Sequence, residues 1–281
     1  MGSVPHEAFT SLRCLRDASQ HACSPDVLLP APLRGGEQQT QMGPEYVPIM
    51  QHPLAAHIPL WSAHVLRLVH ATARLAELFP EQWGTRKWTV DEVLNSDAVS
   101  HLWKELQAVQ GTEVTQLRAS LRIDQNGSSR AVIAPLAYSD GNPLPVRLDT
   151  KATSFQEPTV TLKTDLRAEY DASRQRVNAD LAGSQPDTCF DALLWTESDE
   201  NPGRFLTESS IANIVLHVPG EGWITPPFQG ILPGLLVQEL VRQGKVVQQP
   251  LEVDRAKSLL QSGSQLWLGN AVRGLFPVVL K

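Results

Sequence analysis

Asn126-Gly127 is the tightest local constraint in the chain. Both residues tolerate the left-handed backbone that a two-residue hairpin turn demands, so the pair joins antiparallel strands. The flanking segments Val114–Ile123 and Ser129–Pro135 read as those strands, around Asp124-Gln125-Asn126-Gly127. Upstream, Val65, Leu66, Leu68, Val69, Ala73, Leu75 and Leu78 recur at helical spacing. They predict an amphipathic helix over Trp61–Phe79, which Pro80 ends. A second helix is expected over Val90–Gln110, capped by Thr89 and stopped by Gly111. Phe9–Arg16 reads as a strand and the turn-rich stretch 17–59 as largely loop. Strand, helix, helix and hairpin make a small α/β lobe spanning 1–150.

The second half, 151–281, reads as a β-rich lobe with helices. Strands are expected at Thr159–Lys163, Phe190–Thr196, Arg204–Leu206, Ile211–Val218, Trp223–Thr225, Val246–Val253 and Gln265–Leu268. Helices are expected at Asp165–Leu181, Leu232–Gln243 with Pro233 in its first turn, and Asp254–Ser262. The fold class is therefore α/β (α+β) in two lobes. Hydrophobic residues at 42% suffice for a sizeable core, and a net charge of −6 argues against a nucleic-acid surface. No apolar run approaches the ~20 residues that span a bilayer. Residues 1–11 show no secretory pattern. Cys14, Cys23 and Cys189 are an odd set without C-x-x-C spacing, and His52, His57 and His64 lack ligand spacing, so no disulfide framework and no metal site is expected. These features point to a cytoplasmic protein.

Four residues or segments stand out chemically. Lys163 sits where a strand candidate gives way to a helix; such a lysine is ordinarily solvated, but a desolvated one is a nucleophile toward aldehydes. Glu208 lies in Leu-Thr-Glu-Ser-Ser-Ile-Ala-Asn between apolar strands, where an exposed turn acid is the plain alternative to a partner for a ring nitrogen. Arg67 follows His64 on the amphipathic helix and would ordinarily face water. Gly230-Ile-Leu-Pro-Gly-Leu-Leu opens a helix whose first N–H groups suit a phosphate.

Their order carries more than any one of them. His-x-x-Arg-Leu, Lys163, Thr-Glu-Ser-x-x-x-Asn, Thr-Pro-Pro…Gly-Ile-Leu-Pro-Gly and Leu-Gly-Asn-Ala-Val-Arg-Gly-Leu-x-Pro-Val follow one another along the chain. This series resembles the fold-type IV family of pyridoxal 5′-phosphate (PLP) enzymes, over roughly residues 60–79 and 159–278. The resemblance implies PLP as cofactor, bound covalently by Lys163, with Glu208 at the pyridine nitrogen. It also implies that Arg67, the N–H groups of Leu235 and Leu236, and Asn270 lie at or beside the phosphate. Asn213 would support the turn after the glutamate, and a homodimer is the family's common state.

Within that family the chain looks most like aminodeoxychorismate lyase. Aminotransferases tend to carry a tyrosine five residues after the lysine, where this chain has Ala168, and Arg167 instead follows at four. Phe9-Thr10-Ser11-Leu12-Arg13 is similar to the lyase's opening strand, and Ala271 and Leu236 lack hydroxyls that aminotransferases supply. The implied substrate is a small dicarboxylate, 4-amino-4-deoxychorismate. Arg118 and Arg122, four apart and so on one face of a strand, would answer its carboxylates, with Arg167 and Arg273 as further candidates. Three features depart from compact lyases: the 17–59 stretch, and apparent extra loop at Gly183–Thr188 and Glu197–Gly203. The alternatives are a class IV aminotransferase acting on branched-chain amino acids, D-amino acids or amines, and a PLP-binding protein without catalysis, against which the presence of both Lys163 and Glu208 argues.

Overall fold

The computed structural model describes residues 3–17, 29, 46–136, 141–182, 187–197 and 203–281. Most of the 17–59 stretch, Cys23 and parts of both apparent extra loops lie outside the described residues. The chain divides into two units, one of Met1–Tyr138 with Leu162–Leu166, the other of Ser139–Thr161 with Arg167–Lys281.

The first unit contains β1 (Glu7–Leu15), α1 (Tyr46–Gln51), α2 (Trp61–Leu78), α3 (Pro80–Trp83), α4 (Val90–Leu94), α5 (Asp97–Ala108), β2 (Gln116–Asp124) and β3 (Ser129–Pro135). The three strands form an antiparallel sheet in the order β1-β2-β3, with the expected hairpin joining β2 to β3. Alternation sorts the two faces. Leu12 and Cys14 of β1 and Leu117, Ala119, Leu121 and Ile123 of β2 join Val65 and Leu68 of α2 and Leu102 and Leu106 of α5 in one core. Each leucine so buried stabilises the fold by about 1.5–3 kcal/mol. The single helix expected over Val90–Gln110 is two. Asn95 Nδ2 donates to the Asp91 carbonyl at 2.8 Å, and Ser96 Oγ donates to the Val93 carbonyl at 2.7 Å while accepting from Val99 N at 3.4 Å. These short polar side chains capture backbone groups that a continuous helix would pair. Residues 46–56, expected as loop, hold α1 and a 3-10 turn at Pro53–Ala56.

Thr159–Lys163 is not the expected strand. Thr159 N donates to the Gln156 carbonyl at 2.9 Å and Thr161 N to the Pro158 carbonyl at 3.1 Å, so the backbone is turned there. Residues 162–166 instead line the free edge of β1. Phe9 N donates to the Lys163 carbonyl at 2.9 Å, Ala8 bridges Thr164, and Asp165 Oδ1 accepts from His6 N at 3.0 Å and Glu7 N at 3.2 Å.

The second unit contains β4 (Leu144–Leu148), α6 (Ala168–Arg176), β5 (Asp191–Glu197), β6 (Arg204–Ser209), β7 (Asn213–Val218), β8 (Gly222–Thr225), α7 (Leu235–Arg242), β9 (Val247–Gln248), α8 (Val253–Gln261), β10 (Gln265–Asn270) and β11 (Gly274–Leu280). The sheet runs β10-β11-β4-β5-β6-β7-β8-β9, and a further β10–β7 pairing closes the first six strands into a ring. Closure leaves those strands no free edge. The ring's core includes Leu193, Leu206, Ile214, Leu216, Leu266, Leu268 and Phe276. The sequence boundary at 150 falls inside this unit, because β4 pairs in parallel with both β5 and β11. The helix expected from Leu232 begins at Leu235, with Pro233 ahead of it and Gly234 as its N-cap.

Candidate active site

In the first unit the chemistry gathers on α2, β1 and the 162–166 segment. His64 and Arg67 lie one helical turn apart on α2. His64 is fully buried, and its Nδ1 meets Thr10 Oγ1 at 2.7 Å. Its Nε2 is buried with no hydrogen-bond partner among the described residues. Burial, reinforced by the charges of Arg67 and Lys163, pushes the imidazole down to about 3, so it is neutral at pH 7. Burial likewise pulls the Arg67 guanidinium down to about 10. In the tautomer whose Nδ1 accepts from Thr10 Oγ1, the neutral ring carries its proton on Nε2 and, beside Arg67 and Lys163, forms a donor set for an anion. In the sequence His64 shows only a lack of metal-ligand spacing; its one-turn spacing from Arg67 is the signal that it belongs here.

Lys163 is held by its own backbone bond to β1, and its Nζ lies over the Phe9 ring at 5.3 Å from the centroid. Arg118 and Arg122 share the β2 face turned from the core, as expected, and then differ. Arg122 pairs with Glu7 at 2.6 Å, and its guanidinium also lies over the Phe9 ring, 4.7 Å from the centroid. Burial would raise the Glu7 carboxyl, but hydrogen bonds from Arg122 and Arg130 outweigh it and hold that carboxyl below its usual range. Arg122 is thus engaged by Glu7, whereas Arg118 is exposed, opposite Arg13 in the strand register.

In the second unit Glu208 is part of β6 and only 4% exposed, not a turn acid in water. Its Oε1 accepts from the Tyr170 hydroxyl at 2.8 Å and from Leu232 N at 3.3 Å. Asn213, at the start of β7, accepts from Gly234 N at 2.7 Å and donates to the Leu232 carbonyl at 3.0 Å. Glu208 and Asn213 together therefore clamp the segment that leads into α7. Gly234 has ordinary helix-entry angles (φ −72°, ψ 132°), yet a Cβ there would stand 2.2 Å from Asn213 Oδ1. Glycine is needed for closeness, not for backbone freedom. No side chain caps α7, and the N–H groups of Leu235 and Leu236 fall in its first turn, where helix geometry provides no acceptor.

Arg167 donates to the Ser210 carbonyl, and its guanidinium lies over the Tyr170 ring at 4.5 Å. Burial pulls its pKa down. Asn270 Oδ1 accepts from Val272 N at 3.0 Å and Arg273 N at 2.8 Å, while Nδ2 donates to the Ile211 carbonyl at 3.3 Å, so its visible work is to hold the turn between β10 and β11. Arg273 lies over Phe190 at 5.3 Å. Tyr170 stands seven residues after Lys163, out of register with the aminotransferase tyrosine position at Ala168, and nothing local in the sequence marks it as a partner of Glu208.

The family model of class IV aminotransferases matches residues 51–280. The chain belongs to the class IV aminotransferase family. A Schizosaccharomyces pombe protein named "Putative aminodeoxychorismate lyase" is 28% identical over 176 residues, covering 62% of this chain and 70% of that protein. Among solved structures, a Mesorhizobium loti protein titled an amino-acid aminotransferase superimposes with a TM-score of 0.61 at 19% identity, covering 98% of this chain and 99% of its own. A Legionella pneumophila protein named "Putative 4-amino-4-deoxychorismate lyase" gives 0.55 at 17% identity, covering 98% and 83%. A Mycobacterium tuberculosis protein described as "a hypothetical aminotransferase", in its PLP-bound form, gives 0.55 at 17% identity, covering 80% and 77%. The likeness establishes the mixed α/β fold of class IV aminotransferases. The family and a PLP-bound structural neighbour imply PLP, and each unit holds donors of the kinds that group needs: in the first an amine and a buried imidazole nitrogen without a partner beside Arg67, in the second a carboxylate and an uncapped helix start. Among the described residues, no helix is long and apolar enough to cross a membrane.

Proposed function

We propose that this member of the family is a PLP-dependent lyase that splits 4-amino-4-deoxychorismate into 4-aminobenzoate and pyruvate. The observation that carries the reading is Arg167. A guanidinium, drawn down by burial and lying over Tyr170, stands four residues after Lys163, while the aminotransferase tyrosine position is the exposed Ala168 at the start of α6. An arginine there suits a substrate carboxylate through a two-pronged bond. The name of the fission yeast relative points the same way.

Bound PLP would supply an aldehyde to capture the substrate amine and a pyridinium ring to accept electron density. Lys163 would provide the amine that holds the aldehyde. Glu208 would keep a proton at the ring nitrogen. Arg67, the His64 Nε2–H and the N–H groups of Leu235 and Leu236 would hold the phosphate. The Lys163 amine then takes the proton from the ring carbon bearing nitrogen. As the neighbouring carbon–oxygen bond breaks, the ring becomes aromatic, and the Lys163 ammonium returns a proton to the departing enolpyruvyl fragment, which leaves as pyruvate. Arg167 and the exposed Arg118 would orient the two carboxylates. No second keto acid is consumed, which separates this reaction from amino transfer. A dimer, common in the family, is part of the proposal.

The test is to mix the purified PLP-loaded protein with enzymatically prepared aminodeoxychorismate and to follow 4-aminobenzoate and pyruvate. Equimolar appearance of both, abolished in Lys163→Ala, is expected. Absence of both, with amino groups passing from an amino acid to a keto acid, would replace the lyase with an aminotransferase.

A further inference from the structure

We propose that Tyr170 is a positioning residue that sets both the acid at the ring nitrogen and the cation for the substrate. The inference rests on the PLP-dependent reading above and adds a residue to it. Tyr170 is 4% exposed on α6, seven residues after Lys163. Its hydroxyl donates to Glu208 Oε1 at 2.8 Å. Phe155 stacks on its ring with centroids 4.5 Å apart and planes 29° apart, and the Arg167 guanidinium lies over the ring at 4.5 Å. The ring is thus held by an aromatic neighbour and by a guanidinium.

Three consequences follow from elementary chemistry. The Tyr170 hydroxyl and Leu232 N–H both reach Oε1, which stops the Glu208 carboxylate from rotating about its last carbon–carbon bond. A donor to a carboxylate favours its charged form and lowers its basicity. A proton shared between Glu208 and a ring nitrogen is thereby left more on the nitrogen, which strengthens the ring as an electron acceptor. The same phenol ring is also the surface against which Arg167 rests while its guanidinium donates to the Ser210 carbonyl. The phenol itself stays protonated, because burial and then the Glu208 charge push it far above its usual range. It therefore acts through Glu208 and Arg167 and exchanges no proton with substrate.

Two substitutions separate the two effects. Tyr170→Phe keeps the ring, its stack on Phe155 and its contact with Arg167, and removes only the donor to Glu208. PLP affinity by equilibrium dialysis should fall severalfold, because the Glu208 carboxylate is no longer held in the orientation that meets the ring nitrogen. The pH dependence of the bound cofactor's visible spectrum should move, and kcat should fall while KM changes little. Tyr170→Leu also removes the ring, and KM for the dicarboxylate should then rise. In a Glu208→Gln background Tyr170→Phe should have less effect on PLP binding than in the wild type, since the donor's charged partner is gone. Wild-type PLP affinity and an unmoved spectral pH profile in Tyr170→Phe would overturn the inference, as would equal effects of that change in both backgrounds. If the wild type binds PLP but makes no 4-aminobenzoate, the lyase reading falls and the dialysis and spectral arms still decide the role of Tyr170. If the wild type binds no PLP, both fall.

Discussion

Substituting alanine for Gly234 isolates the contact that seats α7. Its φ of −72° and ψ of 132° suit alanine, so backbone strain contributes nothing. The added methyl would stand 2.2 Å from Asn213 Oδ1 and 3.3 Å from its Cγ. The first distance is far inside the ~3.5 Å of a relaxed contact, so the two groups must part. Parting them breaks the 2.7 Å bond from Gly234 N and the 3.0 Å bond to the Leu232 carbonyl. Asn213 is 2% exposed, so water does not replace what is lost. Two bonds between the buried Asn213 and the half-buried Leu232 and Gly234 give a destabilisation of about 2–3 kcal/mol. With a urea slope of about 3 kcal/mol/M, the unfolding midpoint of Gly234→Ala should drop by about 1 M. Asn213→Ala loses the same two bonds without the clash. The double variant should therefore unfold close to either single one, with a coupling of about 2 kcal/mol. An unshifted Gly234→Ala midpoint, or a double variant whose losses simply add, would refute the claim that closeness to Asn213 is what requires glycine here.

Two further predictions concern buried charge. His64 stays neutral down to about pH 3 in the folded state, against 6.5 for the free side chain. Below pH 6.5 the unfolded chain therefore binds the extra proton and stability falls; between pH 7 and 5 this amounts to about 2 kcal/mol. In urea titrations at the two pH values, His64→Gln should lose about that much less than the wild type, and equal losses would contradict the assignment. Arg176 holds the Asp149 carboxylate through bonds of 2.8 and 2.6 Å, and the Asp149 side chain has no exposure. Arg176→Ala should cost about 3–5 kcal/mol by urea unfolding, because it strands a buried charge; a loss below about 1 kcal/mol, the range of surface pairs, would show that the carboxylate finds another partner.

What could be read along the chain was short in range. The Asn126-Gly127 hairpin, the apolar stripe of α2 and the Thr89 cap each depend on residues a few positions apart, and each is present. Strands β4 and β11 were invisible because Pro145 and Pro277 interrupt them. Proline ordinarily argues against a strand, and only the pairing of Pro277 with Trp267 and of Val146 with Asp191 shows that both segments belong to the ring. The motif residues Lys163, Glu208 and Arg67 were legible because their order and spacing resemble a family. Their surroundings were not: Tyr170 reaches Glu208 across 38 positions, and Thr10 reaches His64 across 54.

The amino-acid order alone determined α2, the hairpin and the family, since turn chemistry, helical periodicity and motif spacing act between near neighbours. Tertiary structure alone decided that residues 162–166 pair with the edge of β1, that β10 closes on β7, and that Glu208 is buried under a phenol. A backbone N–H or a carboxylate accepts whichever partner the fold delivers, and local composition does not name that partner.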